Sequence, residues 1–251
     1  MDALTVRRSG DGPEVVLVHG GAGPRSTWAG LETLAARWTL LMVYRRGFEP
    51  SPPGVDGRQD FVVDAEDLGA VFRESRPHVV AHSYGVVGTL LAAAEQPQSV
   101  RSLTLIEPPL YFLVPGDPDV ARLQELGDEV LLDGLEADPD VLREFLALTG
   151  SPGIDAGRLP DAVVAAVLRA HGGRLPGQAR PNLAALRAAG VPALVASGAH
   201  SAALERICDA LAEELGAQRL IAPGAGHFVP AAPGFTDELE KFLSHCEGES
   251  R

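Results

Sequence analysis

Apolar residues along this chain follow two alternating rhythms. Val15-Val16-Leu17-Val18, Thr39 to Tyr44, Val79 to Ala81, Leu103 to Ile106 and Ala193 to Ser197 are short, nearly continuous apolar runs. Such runs suit strands buried on both faces of a parallel sheet. Ala3 to Arg8 and Arg219 to Ile221 are shorter strand-like runs. Between them, apolar residues recur every three or four positions, the helical spacing. Trp28, Leu31, Leu34, Ala35 and Trp38 predict one helix, and Phe61, Ala65, Leu68 and Phe72 a second that reaches about Arg76. Ser83 to Glu95, Ala202 to Leu215 and Thr236 to Ser244 predict three more. Strand and helix in alternation predict an α/β fold with crossover helices on a mostly parallel sheet.

The alternation stops after Glu107. From Leu110 to Ala189 the pattern gives helical segments and no strand, punctuated by Pro115, Pro118, Pro139, Pro152, Pro160, Pro176 and Pro181. The expected organisation is a core of residues 1–109 and 190–251 with a helical insertion at 110–189.

One turn stands out chemically. Ala81-His82-Ser83-Tyr84-Gly85 joins a predicted strand to a predicted helix. A serine at so sharp a turn presents its hydroxyl at the top of the sheet, with a helix N-terminus behind it. A serine hydroxyl needs a base, and His227 in Pro223-Gly224-Ala225-Gly226-His227-Phe228 follows the last predicted strand. The other histidines have blander places: His78 begins a strand, His171 lies in the insertion, His245 is in the tail, and His82 is expected to pack. The oxyanion formed on attack needs two N–H donors. Tyr84 supplies one at the helix start, and the His19-Gly20-Gly21-Ala22-Gly23 loop supplies the other, at Gly21.

Composition narrows the partners. The net charge of −13 argues against nucleic acid and anionic membranes, both of which want a basic surface. Two cysteines, Cys208 in a predicted helix and Cys246 in the tail, form neither a disulfide framework nor a metal motif. The first residues lack the apolar core of a signal peptide, and no apolar run is long enough to span a membrane, so a cytoplasmic location is expected. A small-molecule substrate is the expected partner, with a homodimer a candidate assembly and neither cofactor nor metal called for.

His19-Gly20-Gly21, Tyr44-Arg45-Arg46-Gly47 with Ser51, the Ser83 turn and Gly226-His227 occur in the order found in the α/β-hydrolase superfamily, which the chain resembles. The sequence departs from the family pattern with Ala81 where Gly is commoner, Tyr44 where many relatives have Asp, and Glu49 where many have Gly. The resemblance implies an α/β-hydrolase fold whose helical insertion, after the sixth strand, is a cap. It also implies a Ser–acid–His triad. The usual Gly-x-x-Asp acid is missing, since Gly198-Ala199-His200-Ser201 stands in its place, and Glu205 and Asp209 lie further into the helix. Some relatives carry the acid at the end of the preceding strand, which points here to Glu107 before Pro108-Pro109. The expected activity is hydrolysis of a small ester, thioester or lactone through an acyl-enzyme. The alternatives are elimination, cyclisation or carbon–carbon cleavage on the same fold, or ligand binding with little catalysis. Gly20, Ala22, His82, Tyr111, Phe112 and Phe228 are expected around the substrate, and Arg174 or Arg180 are candidates for a substrate carboxylate.

Overall fold

A computed structural model describes residues 3–149 and 159–248. Seven strands form one sheet: β1 (Thr5–Ser9), β2 (Glu14–Val18), β3 (Thr39–Tyr44), β4 (His78–His82), β5 (Ser102–Ile106), β6 (Ala193–Ser197) and β7 (Gln218–Ile221). Their order is β1-β3-β2-β4-β5-β6-β7, with β1 antiparallel to β3 and all other pairs parallel. The central strands β4, β5 and β6 are buried along their whole length, as their continuous apolar runs require. The edges are different. β1 exposes Arg7 and Arg8, and β7 exposes Gln218, polar groups that discourage further strand pairing.

Side-chain alternation divides the core in two. Val16, Val18, Val79, Ala81, Leu103, Leu105 and Val195 face one way and meet helices α2 (Phe61–Ser75), α3 (Tyr84–Glu95) and α8 (Ala202–Leu215). Val15, Leu17, Val80, Ile106, Leu194 and Ala196 face the other way. They meet Trp28, Leu31, Leu34 and Trp38 and the last helix, α9 (Phe235–Gly248). Asp60 caps α2 by accepting the Val62 N–H at 2.8 Å.

Three expectations change. The helix expected from Trp28 is a short α1 (Pro24–Trp28) followed by a 3₁₀ turn at Glu32–Ala36. Gly30, a poor helix former, lies between them, yet Trp28, Leu31, Leu34 and Trp38 are all buried as the spacing required. The final helix runs past Ser244, so Cys246 is not in a tail but buried on α9. The helical insertion follows β5, the fifth strand of this chain, rather than a sixth.

That insertion contains α4 (Pro118–Asp133), α5 (Pro139–Leu148), α6 (Asp161–Ala170) and α7 (Leu183–Ala188), and no strand among its described residues. Pro152 and the rest of 150–158 lie outside the described residues. Val130, Leu142, Leu146 and Val167 make a small apolar cluster between α4, α5 and α6. Leu183 and Leu186 of α7, by contrast, join the same cluster as α3 and α8.

Candidate active site

The carboxyl ends of β2, β4, β5 and β6, together with the loop after β7, bring together most of the residues singled out by chemistry. Open α/β sheets bind their ligands at this edge. Ser83 follows β4 directly, at φ 54° and ψ −131°. A positive φ is strained for a serine and is the sort of conformation that clusters at functional sites. Its own N–H donates to the Ile106 carbonyl at 2.8 Å, which ties the turn to β5. The turn closes only because its neighbours lack side chains. A Cβ on Gly85 would lie 2.4 Å from the His19 carbonyl oxygen, and one on Gly20 would lie 2.7 Å from the Ser83 Cβ. Gly20 therefore lies against the serine.

Glu107 follows β5 as Ser83 follows β4, also at positive φ (45°), and its N–H continues the ladder to Ala196 at 3.1 Å. The carboxylate is 1% exposed. Oε2 lies 2.6 Å from His227 Nδ1, and Oε1 accepts the Gly198 N–H at 2.7 Å. Both carboxylate oxygens are thus satisfied, one by the imidazole and one by the end of β6. Burial pushes the His227 ring down to about 4, so it is a neutral base at physiological pH. Burial raises the Glu107 carboxyl, while the His200 ring and the Gly198 N–H pull it back.

His82, expected among the substrate contacts, is instead buried under the site. Its Nε2 lies 2.7 Å from the His227 carbonyl oxygen, and burial lowers the ring to about 3. A neutral ring donating from Nε2 to that carbonyl positions the loop that carries His227. Phe228 is half-buried and ring-packed against both His82 and His227 at 6.3 Å. Tyr111 is buried in the main apolar cluster with its hydroxyl beside Gly127. Phe112 is half-buried, its ring 5.0 Å from the Arg180 guanidinium carbon.

Arg45 holds the His19–Gly21 loop after β2. The side chain is fully buried. Nε donates to the His19 carbonyl at 2.8 Å, one terminal nitrogen donates to the Gly20 carbonyl at 3.2 Å and to Gln59 Oε1 at 3.1 Å, and the other donates to Asp64 at 2.7 Å. His19 Nδ1 also lies 2.7 Å from the Gly20 carbonyl oxygen, while its Nε2 accepts the Arg45 N–H at 3.2 Å. Those contacts fix His19 as the neutral Nδ1–H tautomer, in keeping with a pKa held well below the usual range by burial and Arg45. In a trans peptide the C=O and the following N–H point opposite ways. With the Gly20 carbonyl held inward, the Gly21 N–H of the same peptide is turned outward. Ala22, next in the loop, is exposed. The Tyr84 N–H is the first of α3 and has no intrahelical acceptor.

His200 was not legible as a site residue. It stands after β6, half-buried, with Nδ1 3.4 Å from Glu107 Oε1. Its position in the stretch where an acid was sought is the signal that could have found it. The nearest polar atoms of Glu107, His200 and His227 lie within 4.8 Å of one another, so these are the residues that could ligate an ion here. To do so, Glu107 and His227 would have to release each other. Glu205 is engaged elsewhere, accepting from Ser197, the Ala199 N–H and Arg219. Arg174 is not free for a substrate, since it forks onto Asp60 at 2.7 and 2.8 Å. Arg180 donates to the Gly177 and Ala179 carbonyls. Tyr84 links the turn to the insertion through its hydroxyl, which donates to the Arg174 carbonyl at 2.9 Å.

Similarity to known proteins extends over the family and fold. The sequence profile of the alpha/beta hydrolase family matches residues 15–238. A pimeloyl-acyl-carrier-protein methyl ester esterase of Methylococcus capsulatus is 35% identical over 149 residues, covering 58% of this chain and 56% of that one. The chain thus spans just over half the length of that curated relative. Among solved structures, an alpha/beta hydrolase from Sphaerobacter thermophilus superposes with a TM-score of 0.64 at 27% identity, covering 96% of each chain. A thermophilic esterase from Thermogutta terrifontis superposes with a TM-score of 0.70 at 19% identity, covering 97% of this chain and 93% of that one. No described helix is long and apolar enough to cross a membrane.

Proposed function

The chain belongs to the alpha/beta-hydrolase family, and on that footing we propose that it hydrolyses a small carboxylic ester through an acyl-enzyme on Ser83. The observation that carries this reading is the 2.6 Å contact between Glu107 and His227 at the strand ends that also hold Ser83. Glu107 accepts from His227 Nδ1–H and so leaves Nε2 as the basic nitrogen. Nε2 takes the Ser83 proton as Oγ attacks the ester carbonyl. The oxyanion is received by the N–H groups of Gly21 and Tyr84. Collapse expels the alcohol, which takes its proton from His227. Water then attacks the acyl-enzyme with His227 again as base, and Ser83 is regenerated. Helices α4–α7 form the cap in this reading, and Phe112 and Phe228 line the approach. The names of relatives, a methyl ester esterase and a thermophilic esterase, support an oxygen ester as the substrate class.

The test is p-nitrophenyl butyrate hydrolysis together with intact-mass analysis after a fluorophosphonate. Turnover and a single adduct, both absent in Ser83→Ala, are the expected results. An adduct on Ser83 without ester turnover would replace hydrolysis by another reaction at the same serine. Undiminished turnover in Ser83→Ala would end the reading.

A further inference from the structure

A second polar feature lies two strands away from Ser83. Ala22, Gly23, Pro24 and Arg25 after β2, Tyr44 at the end of β3 with Gly47, Phe48 and Glu49 after it, Arg7 on β1 and Arg169 on α6 surround a cleft of about 430 Å³. Three guanidinium groups line it. Glu49, the single carboxylate of the lining, is itself exposed.

In an acidic chain, a cluster of three cations is a place where an anion can be held. Acidic residues outnumber basic ones by 34 to 21, and many of the arginines are paired with carboxylates. Arg8, Arg37, Arg45, Arg46, Arg206 and Arg219 are examples. No carboxylate lies within ion-pair distance of Arg7, Arg25 or Arg169 among the described residues. Arg169 is the informative one. It is half-buried, its Nε is shielded from solvent with no hydrogen-bond partner, and its guanidinium carbon lies 4.9 Å from the Phe48 ring centre. A desolvated cation costs free energy unless something compensates it, and here no carboxylate does. An aromatic face offsets part of the cost and orients the fork.

The cleft also communicates with the reactive centre. Phe48, beneath Arg169, packs edge-on against His19 at 4.3 Å and lies 5.2 Å from the Arg45 guanidinium carbon. Ala22 and Gly23 of the lining continue the Gly20-Gly21 loop. β3 and β4 are separated by β2 alone. Two strand spacings put the cleft about 10 Å from the serine.

We propose that the Arg7–Arg25–Arg169 cleft binds an oxyacid anion, a carboxylate or phosphate, at the end of the substrate remote from the ester. Arg169 forks onto the anion from above, and Arg7 and Arg25 complete its coordination from the sheet side. Such a contact selects esters whose acyl chain carries a terminal negative charge about two strand spacings from the carbonyl. Its kinetic consequence rests on the ester-hydrolase reading, whereas the binding itself does not.

Mono-p-nitrophenyl suberate and p-nitrophenyl octanoate have the same chain length and differ in the terminal charge, and an octanoate ester with a terminal phosphate supplies the second anion. Wild type is expected to favour at least one charged ester by about tenfold in kcat/KM, with the preference falling as salt is raised. In Arg169→Gln the preference should collapse, while Arg8→Gln, outside the cleft, should retain it. The anion preferred identifies the source, carboxylate or phosphate. In parallel, calorimetric titration of suberate and of inorganic phosphate into Ser83→Ala should give binding that Arg169→Gln abolishes, with unchanged circular dichroism showing that the variant folds. A wild type that ignores the terminal charge, or a preference that survives Arg169→Gln, overturns the selectivity. Equal anion binding with and without Arg169 overturns the cleft itself. If no ester is turned over, the hydrolase reading has failed, and the titration still decides the cleft.

Discussion

The two ends of β4 and β5 each carry a serine, a histidine and a glutamate, and the contrast between them separates a site from a cluster. At the amino ends, His78 Nδ1 lies 2.7 Å from Ser102 Oγ, and its Nε2 lies 3.0 Å from Glu247. At the carboxyl ends stand Ser83, His227 and Glu107. As a hydrogen-bonded chain, the first group is the more complete. It nevertheless lacks what chemistry requires. Ser102 is wholly buried at the start of a regular strand, and no helix begins beside it among the described residues. Glu247 also pairs with Arg101, so the group fastens α9 to the sheet. At the carboxyl end the serine is partly exposed, leaves its strand at a strained φ, and has a helix N-terminus and an outward-turned N–H beside it. Hydrogen-bond connectivity alone does not make a nucleophile; access and a place for developing charge do.

Breaking the comparison at its serines gives the largest expected effect. Ser83→Ala should lower kcat by about 10⁵-fold or more. Ser102→Ala should leave kcat within a factor of about two while costing about 1–3 kcal/mol, because buried His78 Nδ1 loses its partner. Ester assays and thermal melts on the pair settle it, and a large kcat loss in Ser102→Ala would mean the two ends are not independent.

The glutamates come next. Glu107→Gln should cost roughly 10⁴-fold in kcat by holding the wrong imidazole tautomer. Glu247→Gln should leave kcat alone and lower the melting temperature by a few degrees, about 2–4 °C for each kcal/mol lost. A Glu107→Gln enzyme within about tenfold of wild type would remove Glu107 from the mechanism.

Arg45 sharpens the contrast, since nothing at the amino end matches it. Arg45→Met should unpair buried Asp64, at about 3–5 kcal/mol, and also release the Gly20 carbonyl. Arg45→Met/Asp64→Leu should regain most of the stability but remain about 10–100-fold down in kcat, a smaller loss than removing an oxyanion donor outright, with KM little changed. Recovery of kcat in the double variant would reduce Arg45 to a structural role.

A pH effect involves both ends. Burial lowers His227 to about 4 and His82 to about 3, and it also lowers His78 and His19. The unfolded chain, with histidines near 6.5, then binds more protons than the folded one below that pH. Stability should therefore be level above about 6.5 and fall as the pH drops from there towards 4, by up to about 1.4 kcal/mol per pH unit for each buried ring. His78→Gln should flatten that fall in urea titrations yet leave the acid limb of kcat/KM, which follows His227, where it was.

Much of this was legible because each rhythm has one physical cause. Continuous apolar runs gave the central strands, and a small-residue turn between strand and helix gave Ser83. Helical spacing gave the burial of Leu31 and Leu34 correctly but not their geometry, because a periodicity does not register the break at Gly30. Glu107 was reached by way of the family resemblance, and its partner Gly198 lies 91 residues away in sequence. His200 escaped notice because only the folded sheet sets the end of β6 beside the end of β5. The arginines were undecided for the same reason: Arg174 and Arg180, open as carboxylate contacts or surface residues, hydrogen-bond within the protein, whereas Arg169 meets the Phe48 ring and its Nε meets no acceptor. A guanidinium's company is decided by tertiary packing, on which spacing is silent.

The backbone bonds that run past the strand ends, from Ser83 to Ile106 and from Glu107 to Ala196, have a consequence for local stability. They place the serine and the acid in the hydrogen-bonded ladder of the sheet, in the part of the molecule whose amides should exchange last with solvent. Val130, Leu142, Leu146 and Val167 of helices α4 to α6 form a small cluster outside that ladder. Substitutions in those helices are therefore expected to leave the turns at Ser83 and Glu107 in place, an outcome that amide exchange on variants of α5 would check.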